Sequence, residues 1–173
     1  YYSKIKNVDQ IIENISNLKN PKGRFDLIDF KTNKIIVDYA HTPESISQVI
    51  KYVNPYFSKV VVLFGAGGNR DKEKRKLMGT ASQLADSVIV TNDNPRNEDP
   101  IQISNDILKG CDLSKTTVIL DRKEAITSAI NELRENSVLL VLGKGHEMYQ
   151  EINNSHIPFN DNDFINKTIG GLI

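Results

Sequence analysis

Short, nearly continuous apolar runs alternate along the chain with longer segments whose apolar residues recur every three or four positions. The runs are "KVVVLF" (Lys59–Phe64), "SVIVTN" (Ser87–Asn92), "TTVILD" (Thr116–Asp121) and "SVLLVLG" (Ser137–Gly143). Each is rich in β-branched residues and too short for a buried helix, so each predicts a strand covered on both faces. The segments 43–53, 71–84, 100–109 and 122–134 predict the helices between them. Upstream, "RFDLIDF" and "KIIVDY" flank "KTN" and predict a hairpin. Val8, Ile11, Ile12, Ile15 and Leu18 stand at helical spacing before "KNPKG" breaks the pattern. The tail offers a weakly patterned strand, "MYQEI", a polar turn, and a closing helix after "PFNDND". The expected fold is α/β, an open and mostly parallel sheet with helices on both faces.

Composition narrows the picture only slightly. At 173 residues the chain can bury a core without disulfides or metals. Lys and Arg number 22, as do Asp and Glu, so the balanced charge argues against a nucleic-acid footprint. No apolar run approaches the ~20 residues of a membrane span, and no signal peptide opens the chain. Cys111 is alone, which suits a reducing compartment and, for that residue, a small side chain near a helix end. The first residue is Tyr1, consistent with a piece of something longer.

In an open parallel sheet, ligands bind outside the carboxyl ends of the strands. The strand exits are therefore the candidate site: "DYAHTP" (38–43), "FGAGGNRDKEKR" (64–75), "TNDNPRNEDP" (91–100) and "GKGHE" (143–147). "GAGGNR" is not a dinucleotide fingerprint, because Arg70 takes the place of its third glycine. "GKGHE" is not a Walker A loop, and no such loop occurs in the chain. Arg70 at a helix start either meets a ligand anion or pairs with Asp71 or another carboxylate. His41 either serves the site or caps the helix at Pro43, where Thr42 is the better cap. Lys144, His146 and Glu147 are expected to be presented at the sheet edge. Pro95 stiffens the third exit and holds Asp93, Asn94 and Arg96, a set that suits a zwitterion or merely staples the loop. Glu98 and Asp99 are read as structural, with Asp99 capping the next helix and Pro100 in its first turn.

Taken together, Gly23-Arg24-Phe25, Asp38 to Pro43, Phe64 to Arg75, Thr91 to Pro100, Asp121-Arg122, Ala125-Ile126, Gly143 to Gln150 and Pro158-Phe159 resemble the C-terminal domain of the MurE-type Mur ligases. The matches run in family order from about residue 20 to about residue 165. The resemblance implies a Rossmann-like domain at 21–173, preceded at 1–20 by a helix or linker from a central domain. It implies an ATP-dependent ligase of peptidoglycan synthesis, in which a carboxylate becomes an acyl-phosphate and an amine displaces the phosphate. The substrates would be UDP-MurNAc-L-Ala-D-Glu and meso-diaminopimelate. ATP and Mg²⁺ would be held mainly by the central domain, which also carries the phosphate loop, so the isolated domain is expected to be inactive and to hold no metal or catalytic residue of its own. A cytoplasmic monomer partnered by its own N-terminal and central domains is implied.

Carried over by motif, Arg24, Asp38 and His41 would meet the nucleotide. Arg70 would bind the carboxylate at the reacting end of the amino acid. Asp93, Asn94, Pro95, Arg96, Gly143 and Glu147 would serve its far end. There Arg96 would pair with a second carboxylate that L-lysine lacks, so that lysine would leave the arginine desolvated and unpaired. Asp26, Ala66 and Asn69 depart from the family pattern, where Glu, Cys and Asp are common. Two other readings remain at this point: the same ligase taking L-lysine or a diaminopimelate analogue, and a non-catalytic module that binds a nucleotide or another anion.

Overall fold

The computed structural model describes residues 21–172. The helix expected over 8–18 lies outside the described residues. Six strands, β1 (Asp26–Phe30), β2 (Asn33–Asp38), β3 (Lys59–Phe64), β4 (Ser87–Val90), β5 (Thr116–Val118) and β6 (Ser137–Leu142), form one sheet in the order β1-β2-β6-β3-β4-β5. Strand β1 pairs antiparallel with β2, and all the other pairings are parallel. The open, mostly parallel α/β sheet expected from the apolar runs is thus the observed one.

Alternation along the strands decides which residues face which layer. Val60, Val62 and Phe64 of β3, with Val138, Leu140 and Leu142 of β6, point to one core. Helices α1 (Pro43–Val53), α2 (Glu73–Ser82) and α3 (Pro100–Leu108) cover that core through Ile46, Ile50, Met78, Ile103 and Ile107. Val61, Leu63, Leu139 and Val141 point the opposite way, to a layer built by α4 (Arg122–Asn131) and α5 (Asp161–Gly170) through Ile126, Ile130, Ile165 and Ile169. The sheet is covered on both faces, as expected, except at the edge strand β5, where Thr117 and Val118 are exposed.

Local chemistry sets the helix boundaries. Thr42 caps α1 by accepting from Ser45 N at 3.2 Å, and Ser45 Oγ in turn accepts from Thr42 N at 3.0 Å, a reciprocal capping box. Asp99 caps α3 through Ile101 N at 2.9 Å, with Pro100 following it. Asp121 caps α4, and Asn160 caps α5. Helix α5 therefore starts inside "PFNDND" rather than after it. Helices α2 and α4 are shorter than the spans 71–84 and 122–134, because Lys72 precedes the first and Glu132 caps the second. Cys111 follows α3, half-buried against the first core, and burial pushes its thiol up.

Beyond the sheet, β7 (Tyr149–Ile152) and β8 (Ser155–Pro158) form a separate antiparallel hairpin. Its turn, Asn153-Asn154, has both residues at positive φ, 48° and 59°, which asparagine tolerates. Strand β8 replaces the expected polar turn. All four of its residues are exposed, so no apolar period marks it in the sequence.

One buried ion pair ties the second layer to the strand ends. Arg122 and Asp161 have fully buried side chains and meet through two parallel hydrogen bonds of 2.8 Å. The remaining guanidinium donors reach Leu142 O at 3.1 Å and Asn92 O at 3.3 Å. Removing one partner of such a pair strands the other charge in the interior, at a cost of about 3–5 kcal/mol. Asp161→Ala is expected to lower the unfolding free energy by about that amount in urea denaturation; a loss under about 1 kcal/mol would mean that Arg122 finds other compensation.

Candidate functional site

Because β2, β6, β3 and β4 are parallel neighbours, their carboxyl ends share one edge of the sheet. The four exit loops meet there around a cavity of about 240 Å³, whose lining includes Tyr39, Arg70, Asp93, Arg96, Gly143 and Glu147. His41, Gly67 and Asn94 also face it, while Pro95 does not.

Two arginines stand over this cavity. Arg70 is exposed and precedes α2; among the described residues it has no ion-pair partner, and the Asp71 pairing open to it in the sequence is not formed. Asp71 instead accepts from Glu73 N at 2.9 Å. Arg96 is half-buried, with an ion pair to Glu151 at 2.8 Å and Nη1 donating to Gly68 O at 3.0 Å. Gly67 lies between the two. A Cβ at Gly67 would stand 2.9 Å from Arg96 Nη1 and 3.5 Å from Arg70 Cγ, so its hydrogen leaves the gap open.

The cavity lining also includes two carboxylates, Asp93 and Glu147. Lys144, expected to be presented at the sheet edge, is fully buried there and spends its ammonium on Asn94 Oδ1 (3.1 Å), Glu147 Oε2 (2.8 Å) and Tyr149 O (2.6 Å). A buried lysine needs such compensation. Asn94 Nδ2 also donates to Glu147 Oε2 at 2.8 Å, and Asn94 Oδ1 accepts from Glu151 N at 3.0 Å. Asn94 thereby acts mainly as a brace for Glu147. Burial works to raise the Glu147 carboxyl, but the hydrogen bonds from Lys144 and Asn94 outweigh it and hold the group below the usual carboxylate range. Among the described residues only Oε2 of Glu147 is engaged, which leaves Oε1 for a ligand cation.

Asp93 differs. Its carboxyl has no hydrogen-bond donor among the described residues, and burial pushes it up against the pull of Arg122 and Lys144. Gly143, at φ +109°, allows the close approach: a Cβ there would stand 2.6 Å from Asp93 Oδ2.

The loops are locked together from behind by residues whose part in the site the sequence did not reveal. Arg75 is fully buried and grips Glu98 with two hydrogen bonds of 2.7 and 2.8 Å, while also reaching Asp106 and Gly67 O. Glu98 Oε2 accepts from Asn69 N at 3.0 Å, and Lys72 lies 3.1 Å from Oε1. The Arg75 hydrogen bonds hold the Glu98 carboxyl far below the usual carboxylate range. Glu98, read as structural, is so, but it joins the loop of Arg70 to the loop of Arg96. Pro95 adds a second lock, since a Cβ on Gly68 would fall 1.9 Å from Pro95 O. The position of Arg75 three residues before Met78, on the buried face of α2, is the signal that could have marked it.

The three residues expected at a nucleotide gather around Tyr39. The Arg24 guanidinium sits 4.8 Å from its ring centroid, and the rings of His41 and His146 lie at 4.6 and 5.3 Å. His41 does not cap α1; its Nδ1 lies 2.8 Å from Tyr39 O. Asp38 uses one oxygen for Phe25 N and the other for Ala40 N, both at 2.8 Å, which fixes the turn carrying Arg24 beside Tyr39. An exposed guanidinium over an aromatic ring, with acceptor capacity left on Asp38, fits the base, ribose and phosphates of a nucleotide. No three His, Cys, Asp or Glu side chains converge as a metal site among the described residues.

Comparison with known proteins gives the family. A family model described as Mur ligase, glutamate ligase domain matches residues 23–145. The UDP-N-acetylmuramoyl-L-alanyl-D-glutamate--2,6-diaminopimelate ligase of Rickettsia montanensis is 46% identical over 93% of this chain, which covers 34% of that protein. The ligase of the same name from Rickettsia prowazekii is 46% identical over 96% of the chain and 35% of its own length. A solved structure of a ligase so named superposes with a TM-score of 0.84 at 37% identity, covering 94% of this chain and 34% of that one. The chain thus spans about a third of the length of the curated relatives it matches. With the family's domain matched across the six-stranded sheet, the first three exit loops and the start of the fourth, the chain belongs to the Mur ligase family, within its glutamate ligase domain.

Proposed function

We propose that this chain is the domain that delivers the incoming amino acid to an ATP-dependent ligase of peptidoglycan synthesis, one that joins meso-diaminopimelate to UDP-MurNAc-L-Ala-D-Glu. The observation that carries the reading is a single cavity whose lining brings Arg70 and Arg96 together with Asp93 and Glu147. Two cations and two anions around one space suit a ligand with a carboxylate and an amine at each end. Arg70 takes the carboxylate at the reacting end, where it is free of competing ion pairs among the described residues. Arg96 takes the distal carboxylate, and Glu147 Oε1 takes the distal ammonium. The names of the similar ligases from Rickettsia support the same substrate.

In this reading Arg24, Asp38, Tyr39 and His41 contact ATP, which supplies the phosphoryl group that activates the acceptor carboxylate. The residues of this chain bind and orient. Holding the amino acid by both ends fixes its reacting amine, and fixed orientation contributes to rate by replacing a random encounter. Mg²⁺ and the phosphate-binding loop belong to a central domain outside this chain, which acts together with an N-terminal domain that binds the UDP-sugar.

Titration of the chain with meso-diaminopimelate, L-lysine and ATP, followed by nuclear magnetic resonance, tests the assignment. Arg96→Ala is expected to weaken diaminopimelate by about 1–3 kcal/mol, or roughly 5- to 150-fold, and lysine by less. Equal losses for the two amino acids would remove the distal carboxylate from Arg96. Gly67→Ala places a methyl group against the tip of a flexible side chain, so it should displace the Arg96 guanidinium and weaken diaminopimelate while leaving the thermal midpoint nearly unchanged; undiminished binding would show that Arg96 does not need that gap.

A pH dependence follows from Asp93. Its carboxyl titrates above the ordinary value in the free chain, and a ligand ammonium beside it favours the ionised form. Binding should therefore release a proton and strengthen as pH rises through the raised pKa. Asp93→Asn should flatten that profile in calorimetric titrations; a slope that survives the substitution would place the proton elsewhere.

A further inference from the structure

Arg96 already has a carboxylate. Its Nε lies 2.8 Å from Glu151 Oε2, with the two side chains 21% and 27% exposed. Its Nη1 is spent on Gly68 O and, at 3.5 Å, on Asn94 O. Among the described residues only Nη2 has no acceptor. Glu151 does not line the cavity, so it reaches the guanidinium from behind, while the ligand side stays open.

The backbone builds this arrangement in. Arg96 N donates to Glu151 O at 2.9 Å, and Asn153 N donates to Arg96 O at 2.8 Å, so the loop docks on β7 as a short parallel bridge. Glu151 N is held by Asn94 Oδ1 at 3.0 Å. Arg96 itself sits at φ +54°, a conformation uncommon for a residue with a long side chain, which fixes the direction in which that side chain leaves the loop. Glu151 is therefore a fixed neighbour of the guanidinium rather than a mobile surface acid.

We propose that Glu151 is a specificity-determining residue that acts as an internal substitute for the ligand's distal carboxylate; the proposal rests on the reading of Arg96 given above. A ligand that ends in an ammonium alone does not leave Arg96 uncompensated, because Glu151 remains paired with it. A ligand that brings its own carboxylate places a second anion on the same guanidinium and meets repulsion from the first. Both effects narrow the gap between diaminopimelate and lysine. The sequence-based expectation that lysine would strand Arg96 is accordingly too strong for this chain, where Glu151 sets the size of the penalty.

The discriminating variant is Glu151→Gln, which keeps an oxygen of similar reach but removes the charge. A residue that only positions Arg96 would, when altered, lower diaminopimelate affinity and leave its ratio to lysine unchanged or smaller. A charge competitor gives the opposite: the ratio should rise on the order of tenfold, or about 1.4 kcal/mol. The measurement is a magnetic-resonance titration of the parent chain, Glu151→Gln, Arg96→Ala and the double variant with both amino acids. In the Arg96→Ala background the Glu151 substitution should leave the ratio where it was, since the shared partner is gone. Should Glu151→Gln fail to fold, Glu151→Asp withdraws the carboxylate from Nε and should raise the ratio by a smaller factor. An unchanged or lowered ratio in a folded variant overturns the role of Glu151 alone. Binding of neither amino acid by the parent chain overturns the reading of Arg96 and this proposal with it.

Discussion

Everything at the ligand edge of this domain stands on the buried pairing of Arg122 with Asp161. A guanidinium without water must have its charge matched and its N–H groups accepted. Here two donors meet the carboxylate, and others meet the carbonyls of Leu142 and Asn92. Those carbonyls are the last of β6 and one in the exit from β4. One side chain therefore fixes the starts of two helices and the ends of two strands at a single point. On the other face of the sheet Arg75 does the same with Glu98, Asp106 and Gly67 O. Four arginines thus divide into two kinds. Arg75 and Arg122 are buried and committed to protein partners, with Arg75 Nε left without an acceptor among the described residues, whereas Arg70 and Arg96 line the cavity with donors unengaged.

This division explains why so polar a cavity can hold its shape. Free carboxylates and guanidiniums a few ångströms apart would collapse into pairs with one another. Glu147 is restrained by Lys144 and Asn94, and Asp93 is held beneath Gly143, where no donor among the described residues reaches it. Arg70 and Arg96 are kept apart across Gly67. Glu147 and Arg96 are thus each aimed into the cavity by protein groups bonded to them. A site aimed in this way changes little on binding, which reduces the cost of ordering it.

The pattern of apolar positions was enough for the sheet, because residues at alternate places on β3 and β6 face different cores and both cores are apolar. It was enough for α1 and α3, because Thr42, Asp99 and Pro100 mark their starts. It failed at β8, whose backbone pairs with β7 while none of its side chains is buried. Position at the strand exits led to the cavity, and Arg70, Asp93, Arg96, Gly143 and Glu147 do line it. What position could not supply was depth. Lys144 stands between two glycines in a loop, where a lysine ordinarily faces water, and only the convergence of Asn94, Glu147 and the Tyr149 carbonyl makes its burial tolerable. Likewise "RDKEKR" contains two arginines five residues apart, and the face of α2, not the residue type, sends Arg75 inward.

The hairpin, of which the pattern marked only β7, also holds Arg96. Strands β7 and β8 contribute no residue to either core layer among the described residues, yet Arg96 is docked on β7 through its backbone and paired through its side chain. The loop carrying Arg96 is therefore held by a unit that lies outside both core layers. A core residue that altered the charge around Arg96 would also disturb packing, at a cost of several kcal/mol. A half-exposed residue on β7 can alter it at far smaller cost to the fold. Position 151 separates the tuning of Arg96 from the stability of the domain, because its backbone holds the loop in place whichever side chain it carries.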